Sequence, residues 1–520
     1  MNGAQVLVDT LVDSGVDTCF ANPGTSEMHF VAALDRVPGM RCVLGLFEGV
    51  VTGAADGYYR LTGRPAATLL HLGPGLGNGL ANLHNAKKAR SGIVNIVGEH
   101  ATEHLALDAP LTSDIAALAA PMSNWVRTVT SVNGIAADGR EAVAQALGPP
   151  GRVATLILPA DKAWSEATAT AARSGRISPA PFTRIDDSAQ DAAAEVLRKA
   201  GPSTLLLLGG RALDARVTTL AGRVAAATGC SVMSEFYSPR IERGAGRVAV
   251  PRVPYAVDPA REILGRFKQI VLVGAAPPVA FFAYPGKPGR LSAPDTAFIE
   301  LSGSAHAHER ALAALCDALG ANRATPSLCE LVTELPALEE GPLTPASIGA
   351  LLASLIPENA IVVDEAISTG RGFDAATRNA APHDWLTNMG GSIGYGLPVA
   401  VGAAIGAPGR KVLALEGDGS AMYTPQALWS MARESLDVTI VVFANRNYQI
   451  LRGEFAQVGA GAPGQRATDM LTIDRPALDW VALSAGMGVP ACKATSLREL
   501  AAAMRRGLAS GGPNLIELVL

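Results

Sequence analysis

Two short polar turns near the end of the chain carry the side chains best suited to chemistry. The first turn, Glu416–Ser420, reads Glu-Gly-Asp-Gly-Ser, and the second, Asn445–Asn447, reads Asn-Arg-Asn. Mg²⁺ prefers oxygen ligands and is usually shared between one or two protein groups and phosphate oxygens. The Asp418 carboxylate, the Asn445 amide oxygen and a carbonyl near Asn447 could supply such ligands. Because glycines let backbone N–H groups approach phosphates, the pattern predicts a metal that holds a diphosphate.

The elements around these turns indicate how they would be positioned. The apolar runs Val412–Leu415 and Val438–Ala444 precede the two turns and are typical of buried strands, with a helix predicted at about Thr424–Ser435 between them. Ligands of open α/β sheets bind beyond the carboxyl ends of the strands, so both turns are expected at one sheet edge. Gly-Asp-Gly alone equally fits a tight turn, but the second turn at this spacing favours the metal site.

Composition limits the kind of protein this chain can be. Its 520 residues predict about three domains, and 48% hydrophobic residues, 17% charged residues and a net charge of −4 are ordinary for a globular protein. No basic surface for nucleic acid or for a membrane is predicted. The N-terminus lacks the pattern of a signal peptide, and no apolar run is long enough to span a bilayer. The six cysteines form no Cys-x-x-Cys pair, which favours buried free thiols and a cytoplasmic location.

Apolar strand-like runs alternate with amphipathic helical stretches along nearly the whole chain. This alternation predicts an α/β fold in which parallel sheets are flanked by helices. Two stretches rich in small residues and proline, Ser165–Phe182 and Arg323–Pro345, interrupt the alternation and read as linkers. We therefore expect three domains at residues 1–165, 185–322 and 343–520.

The first of these segments carries a second group of candidate residues. Thr25 lies in an Asn-Pro-Gly-Thr-Ser-Glu turn, Glu48 opens a predicted helix at Gly49–Leu61, and His71 ends an apolar run before a glycine-rich loop at residues 73–79. Each residue also has an ordinary structural interpretation. Thr25 could cap a helix, Glu48 could interact with a helix dipole, and His71 could be a core histidine.

Taken together, the polar turns near the end of the chain and the candidate residues of the first segment resemble the motifs of thiamine diphosphate (ThDP)-dependent 2-oxo acid decarboxylases and acetolactate synthase-like enzymes. The resemblance is closest to benzoylformate decarboxylases. The similarity spans the chain and is tightest at residues 16–112 and 386–455. It implies pyrimidine-binding, central and diphosphate-binding domains, with ThDP and Mg²⁺ as cofactors. FAD is not expected, since the middle segment shows no recognisable FAD-binding signature.

The resemblance also implies roles for individual residues. Glu48 would hydrogen-bond the aminopyrimidine ring of ThDP, His71 would move protons, and Thr25 would bind the substrate carboxylate or a developing alkoxide. The metal ligands that it implies are Asp418, Asn445 and Asn447. The further cofactor-binding positions are Ile367, Ser368, Gly391, Ile393, Gly419, Ser420, Tyr448 and Ile450, together with Asn445 and Asn447.

The substrate side departs from the family pattern. Benzoylformate decarboxylases have a second active-site histidine in the middle domain, and Phe281 stands at that place here. His100 could compensate or could be structural. We expect the substrate pocket to include Leu111, Phe281, Leu451 and Glu454, which would suit a branched or aromatic 2-oxo acid.

Three functions stay open at this point. The resemblance implies ThDP- and Mg²⁺-dependent non-oxidative decarboxylation of a small 2-oxo acid through an enamine intermediate, with carboligation as a further outcome. An acetolactate synthase-like transferase that uses pyruvate is the alternative, although such enzymes typically lack a histidine at the place of His71. A non-catalytic binding or regulatory subunit is disfavoured by Glu48, Asp418 and Asn445. A homodimer or homotetramer with active sites at the subunit interface is the implied assembly.

Overall fold

The computed structural model describes residues 1–168, 175–332 and 341–520, and this part of the chain forms three helix-flanked sheets. Both predicted linkers fall partly outside the described residues, at 169–174 and 333–340. The domain boundaries at 1–165, 185–322 and 343–520 stay predictions. Within the described ranges, no helix combines the length and the apolar character needed to cross a membrane.

The first sheet is parallel throughout and has the order β2-β1-β3-β4-β6-β5. Its strands are β1 Thr18–Asn22, β2 Arg41–Leu44, β3 Ala66–Leu70, β4 Ile93–Glu99, β5 Trp125–Thr128 and β6 Val153–Pro159. The helices of this segment are α1 Gly3–Asp13, α2 Met28–Leu34, α3 Glu48–Thr62, α4 Leu72–Ala89, α5 Ile115–Ala119, α6 Ile135–Leu147 and α7 Ala160–Trp164.

The second sheet is also parallel and has the order β11-β10-β7-β8. The strands of the middle segment are β7 Thr204–Leu208, β8 Ser231–Ser234, β9 Ile241–Arg243, β10 Gln269–Val273 and β11 Ala297–Ser302. The helices are α8 Asp187–Ala200, α9 Ala215–Thr228, α10 Val257–Leu264 and α11 His308–Leu319. Strand β9 leaves this sheet and pairs elsewhere.

The third sheet has the order β16-β17-β15-β14-β12-β13-β9. Its own strands are β12 Ile361–Glu365, β13 His383–Thr387, β14 Val412–Gly417, β15 Val438–Ala444, β16 Ala491–Ala494 and β17 Asn514–Val519. Its helices are α12 Pro345–Leu355, α13 Phe373–Ala376, α14 Gly396–Gly406, α15 Asp418–Ala421, α16 Ala427–Arg433, α17 Gln449–Gln457, α18 Gln465–Met470, α19 Trp480–Gly486 and α20 Leu497–Ala509. Strand β9 pairs antiparallel with β13 and covers what would otherwise be an open edge.

The glycine-rich stretch at residues 73–79 is helical, which corrects the loop predicted there. It forms the first turns of α4, which packs against α3. Glycine disfavours helices in isolation, but here the absence of side chains allows the two helices to approach closely. A Cβ on Gly79 would lie 3.0 Å from the Thr52 side chain, and one on Gly75 would lie 2.9 Å from Glu48 Oε1.

A buried ion pair connects all three segments. The Arg60 guanidinium donates to both oxygens of Asp56, at 2.8 and 2.6 Å, and both side chains are 1% exposed. The remaining terminal nitrogen, Nη1, donates to the carbonyls of Thr387 at 2.7 Å and Pro239 at 3.3 Å. Arg60 therefore joins the first segment to the edge of the third sheet and to the middle segment.

We expect Asp56→Ala to cost about 3–5 kcal/mol of stability, because it leaves the Arg60 charge buried without its partner. Denaturant unfolding of the variant and the wild type measures this loss. Glu195→Ala is the matched control. Glu195 forms an ion pair with Lys199 in which the lysine side chain is 74% exposed and the glutamate side chain 61%, so the pair should contribute only about 0–1 kcal/mol. Equal losses in the two variants would contradict the structural importance of the buried pair.

Candidate active site

Three candidate residues of the first segment lie beyond the carboxyl ends of adjacent strands. Thr25 follows β1, Glu48 follows β2 and His71 follows β3, and these strands are neighbours in the order β2-β1-β3. Parallel pairing therefore brings the three residues to one edge of the first sheet. Thr25 is exposed there, and the His71 side chain is 21% exposed.

Glu48 is held in a fixed position at the first residue of α3. It is 7% exposed, and its Oε2 accepts a hydrogen bond from Asn78 Nδ2 at 3.0 Å. Asn78 lies on α4, so the close approach of the two helices orients the carboxyl group. Gly75 leaves room for the other oxygen, because a Cβ there would crowd Oε1. The result is a buried carboxyl group at the sheet edge.

His71 has a buried partner that the sequence did not single out, Glu27. The distance from His71 Nδ1 to Glu27 Oε2 is 2.8 Å, and the backbone N–H of Gly24 donates to the same oxygen at 2.8 Å. Glu27 is 3% exposed, and burial raises its pKa even though the bonds from His71 and Gly24 lower it. A Cβ on Gly24 would overlap the imidazole of His71, so the turn packs directly on the ring. Glu27 is the acidic last residue of the Asn-Pro-Gly-Thr-Ser-Glu turn, and this was the feature of the sequence that could have indicated a partner for His71.

Asp418 joins the two polar turns of the third segment. It is 3% exposed at the end of β14, where its Oδ2 accepts from the backbone N–H of Arg446 at 2.7 Å and its Oδ1 from that of Gly419 at 2.9 Å. The prediction that these turns share one edge agrees with this geometry. Burial raises the pKa of Asp418 to about 6, because desolvation outweighs the bonds from the backbone N–H groups.

The neighbouring amides offer oxygens that suit a hard cation. Asn447 Oδ1 is buried without a hydrogen-bond partner among the described residues, while Asn445 Oδ1 accepts from the backbone N–H of Asn447 at 3.0 Å. No cluster of three His, Cys, Asp or Glu side chains able to hold a metal occurs in the described ranges. One carboxylate and amide oxygens therefore fit Mg²⁺ that takes its remaining ligands from a diphosphate and water.

Backbone strain marks several of the same turns. Leu72, Ile367 and Arg446 have φ values of 51°, 46° and 56° in the left-handed region. Such a conformation is a genuine outlier for the β-branched Ile367, and strained residues of this kind concentrate at functional sites. The three residues lie just beyond β3, β12 and β15, at the edges that carry the candidate residues.

The other predicted cofactor positions gather beyond four neighbouring strands. These strands have the order β15-β14-β12-β13, and the residues beyond them are Ile367, Ser368, Gly391, Ile393, Gly419, Ser420, Asn445, Asn447, Tyr448 and Ile450. A Cβ on Gly419 would lie 2.6 Å from the Tyr448 ring, so that ring packs on the Gly-Asp-Gly turn.

The predicted substrate residues divide between two places. Phe281 Cζ would lie 2.6 Å from a Cβ on Gly391, so Phe281 contacts the edge of the third sheet. Glu454 accepts hydrogen bonds from the hydroxyls of Tyr284 at 2.8 Å and Tyr255 at 3.5 Å, and Leu451 is exposed on the same helix, α17. The fourth predicted residue, Leu111, packs instead against the large apolar core that the first and third segments share.

His100 has a buried Nε2 without a hydrogen-bond partner in the described part of the chain, and its ring centroid lies 5.4 Å from that of His104.

The six cysteines are free, as expected, but Cys42 is exposed, so not all of these thiols are buried.

Comparisons with known proteins agree with this geometry. The family model "Thiamine pyrophosphate enzyme, N-terminal TPP binding domain" matches residues 1–118, and the corresponding C-terminal TPP binding domain matches residues 371–518. The chain belongs to the thiamine diphosphate-dependent enzymes. The fold and family predicted from the sequence are thereby confirmed.

Individual relatives include both kinds of enzyme considered above. A Mycobacterium tuberculosis protein described as "Putative acetolactate synthase large subunit IlvX" is 50% identical over 100% of this chain and 99% of its own length. The benzoylformate decarboxylase of Pseudomonas aeruginosa is 31% identical over 97% of this chain and 96% of its own length. The structure of a ThDP-dependent 4-hydroxybenzoylformate decarboxylase from Rhodococcus jostii RHA1 is similar with a TM-score of 0.81 and 26% identity, over 99% and 98% of the two chains.

We expect Mg²⁺ affinity to fall about tenfold per pH unit below about pH 6, since the protonated Asp418 carboxyl group cannot bind the metal. Titration of Mg²⁺ into the protein with saturating ThDP at pH 5 to 8 measures this effect. Asp418→Asn is the control, because it retains the titration of the diphosphate itself but lacks the carboxylate. Parallel pH profiles in the two proteins would contradict a ligand role for Asp418.

Proposed function

We propose that the protein is a ThDP- and Mg²⁺-dependent decarboxylase of a small 2-oxo acid. The observation that carries the proposal is the Glu27–His71 pair, which lies at the same sheet edge as the buried Glu48. A histidine is well suited to proton transfer near neutral pH, and decarboxylation of a 2-oxo acid to an aldehyde needs a proton donor.

The residues at the third sheet would hold the cofactor's charged end. Asp418, Asn445 and Asn447 would bind Mg²⁺ and, through it, the diphosphate, while Glu48 would bind the aminopyrimidine ring. When bound, ThDP supplies the nucleophile that attacks the 2-oxo carbon and the electron sink that makes loss of CO₂ feasible. The protein contributes orientation, exclusion of water and proton transfer.

The geometry around His71 determines which nitrogen can act. Because Nδ1 is engaged by Glu27, Nε2 is the ring nitrogen left to exchange a proton with the substrate. The buried Glu27 carboxyl group therefore acts as a positioning residue that fixes the ring. The exposed Thr25 hydroxyl lies at the same edge and would donate to the substrate carboxylate.

A complete site needs both halves together. Among the described residues, no hydrogen bond or ion pair joins Glu48 or His71 to Asp418 or Asn445 within the chain. A homodimer or homotetramer, in which Glu48 of one subunit faces Asp418 of another across the interface, would bring the halves together.

Carboligation to acetolactate is the second candidate function. The relative that is 50% identical carries the name of an acetolactate synthase subunit, which supports this alternative. Phe281 also supports it, because an aromatic ring over Gly391 gives no proton where benzoylformate decarboxylases have a histidine. Slower delivery of a proton after the loss of CO₂ would leave more time for attack on a second carbonyl compound.

Incubation of the holoenzyme with benzoylformate and, separately, with pyruvate should yield the corresponding aldehyde and CO₂. Products are identified by chromatography, with Glu48→Gln as a variant that should bind ThDP but lose about 100-fold or more of turnover. Acetolactate as the main product from pyruvate would replace the proposed reaction with the alternative. Near-normal turnover by Glu48→Gln would exclude the role assigned to Glu48.

We expect Glu27→Gln to lower kcat and leave KM nearly unchanged, because it disturbs the proton-transferring ring rather than substrate binding. The loss should be part of the roughly 10²–10⁴-fold that a positioned acid–base group contributes. Steady-state kinetics, with thermal unfolding as a check on folding, measure the effect. Glu103→Gln changes an exposed glutamate of the same segment and should have no effect; equal kcat values in the two variants would refute the positioning role.

A further inference from the structure

A cavity of about 380 Å³ lies between the middle segment and the outer edge of the third sheet. One wall comes from the stretch 236–256, and the other comes from residues 371–378 around α13. The volume is within the range of small-molecule sites. None of the residues predicted to bind the cofactor or the metal lines it.

The cavity carries an excess of positive charge. Its lining includes one carboxylate, Asp374, and four arginines: Arg243, Arg252, Arg371 and Arg378. The buried carboxyl group of Asp364 lies behind this wall and interacts with Arg252. Counted over the described residues, four guanidinium groups against two carboxyl groups leave an excess of two positive charges.

The structural ion pairs account for only half of the arginines. Arg243 and Arg252 share the Asp374 carboxylate, at 2.6 and 3.3 Å. By contrast, Arg371 and Arg378 are exposed and form no hydrogen bond or ion pair with any described residue. These two guanidinium groups are therefore available to bind an anion.

Aromatic rings lie next to the arginines. Phe236 and Tyr255 line the cavity, and their ring centroids are 5.3 Å apart. The Arg252 guanidinium lies 5.2 Å from the centre of the Phe236 ring, and that of Arg371 lies 5.5 Å from the centre of the Tyr255 ring. Cation–π contacts of this kind hold guanidinium groups in place with their N–H donors free.

We propose that this cleft binds an anionic ligand, whose carboxylate or phosphate is bound by Arg371 and Arg378 and whose apolar body packs on Phe236 and Tyr255. Guanidinium groups match planar carboxylates and phosphates because they can donate two parallel hydrogen bonds. The apolar lining selects a ligand that combines the anion with an aromatic or aliphatic body.

The cleft is close to the proposed substrate site, although its existence does not depend on the proposed reaction. Tyr255 belongs to both places, since its ring centroid lies 5.7 Å from that of Phe281, which contacts Gly391. The same ligand chemistry could thus belong to the far end of a large substrate or to a separate anionic molecule.

Phenyl phosphate is a suitable probe, and calorimetric titration into the protein loaded with ThDP and Mg²⁺ measures its binding. Prior loading prevents the probe from occupying the diphosphate site. We expect saturable binding, weakened about tenfold or more by Arg371→Gln or by Arg378→Gln. Phenol, which lacks the anion, should bind at least tenfold more weakly than phenyl phosphate.

Arg310→Gln is the matched control, since Arg310 is exposed on α11 and does not line the cleft. This variant should bind phenyl phosphate like the wild type. Absence of binding to the wild type, or equal binding by the wild type and the Arg371→Gln/Arg378→Gln double variant, would overturn the proposal.

Kinetics distinguish the two sources of the ligand. If phenyl phosphate raises KM for the 2-oxo acid at constant kcat, the anion belongs to the far end of the substrate. If it changes kcat without competing with the substrate, a separate molecule occupies the cleft. In both cases the effect should disappear in the Arg371→Gln/Arg378→Gln double variant, and an effect that persists there would contradict the assignment of the cleft.

Discussion

Parallel pairing of neighbouring strands is the constraint on which the candidate site depends. In the first sheet it gathers the residues that follow β2, β1 and β3, and in the third sheet those that follow β15, β14, β12 and β13. Residues far apart in the chain thus reach one edge without any direct attraction between them. The hydrogen bond from Arg446 N–H to Asp418 is a consequence of this register, since β14 and β15 end side by side.

Burial raises the pKa values of several carboxyl groups in this region. Glu416 is fully buried, and burial together with the nearby Glu365 carboxyl group raises its pKa well above the usual value. Burial raises the pKa of Glu365 to about 7, and backbone N–H groups such as that of Gly396 limit this rise because they donate to its carboxylate. Burial therefore raises the pKa of Glu416 and also that of Asp418, two residues later, which reaches about 6. One turn thus contains a fully buried carboxyl group, that of Glu416, and a candidate metal ligand, Asp418.

The sequence was most informative where local pattern and tertiary position agree. The apolar run Val438–Ala444, for example, forms a strand with the predicted bounds. The pattern failed for β13, whose sequence His-Asp-Trp-Leu-Thr includes three polar residues although all five are buried. Its polar groups bond to partners distant in sequence, as when Arg240 and Arg410 pair with Asp384. Such partners cannot be found from periodicity, and the same limit hid Glu27, whose importance depends on contact with His71.

The middle segment contributes aromatic residues to the predicted substrate side of the site. It supplies Phe281 and the aromatic residues around it, and it is tied to the third sheet by β9 and by the Arg60 bond to Pro239. Neither of these connections involves Asp418 or Glu48. Glu454 adds a further connection, since the hydroxyls of Tyr255 and Tyr284 donate to its carboxylate and join α17 to the middle segment. The predicted cofactor residues are thus constrained by the register of two sheets, whereas the predicted substrate residues Phe281 and Glu454 contact aromatic side chains of the middle segment.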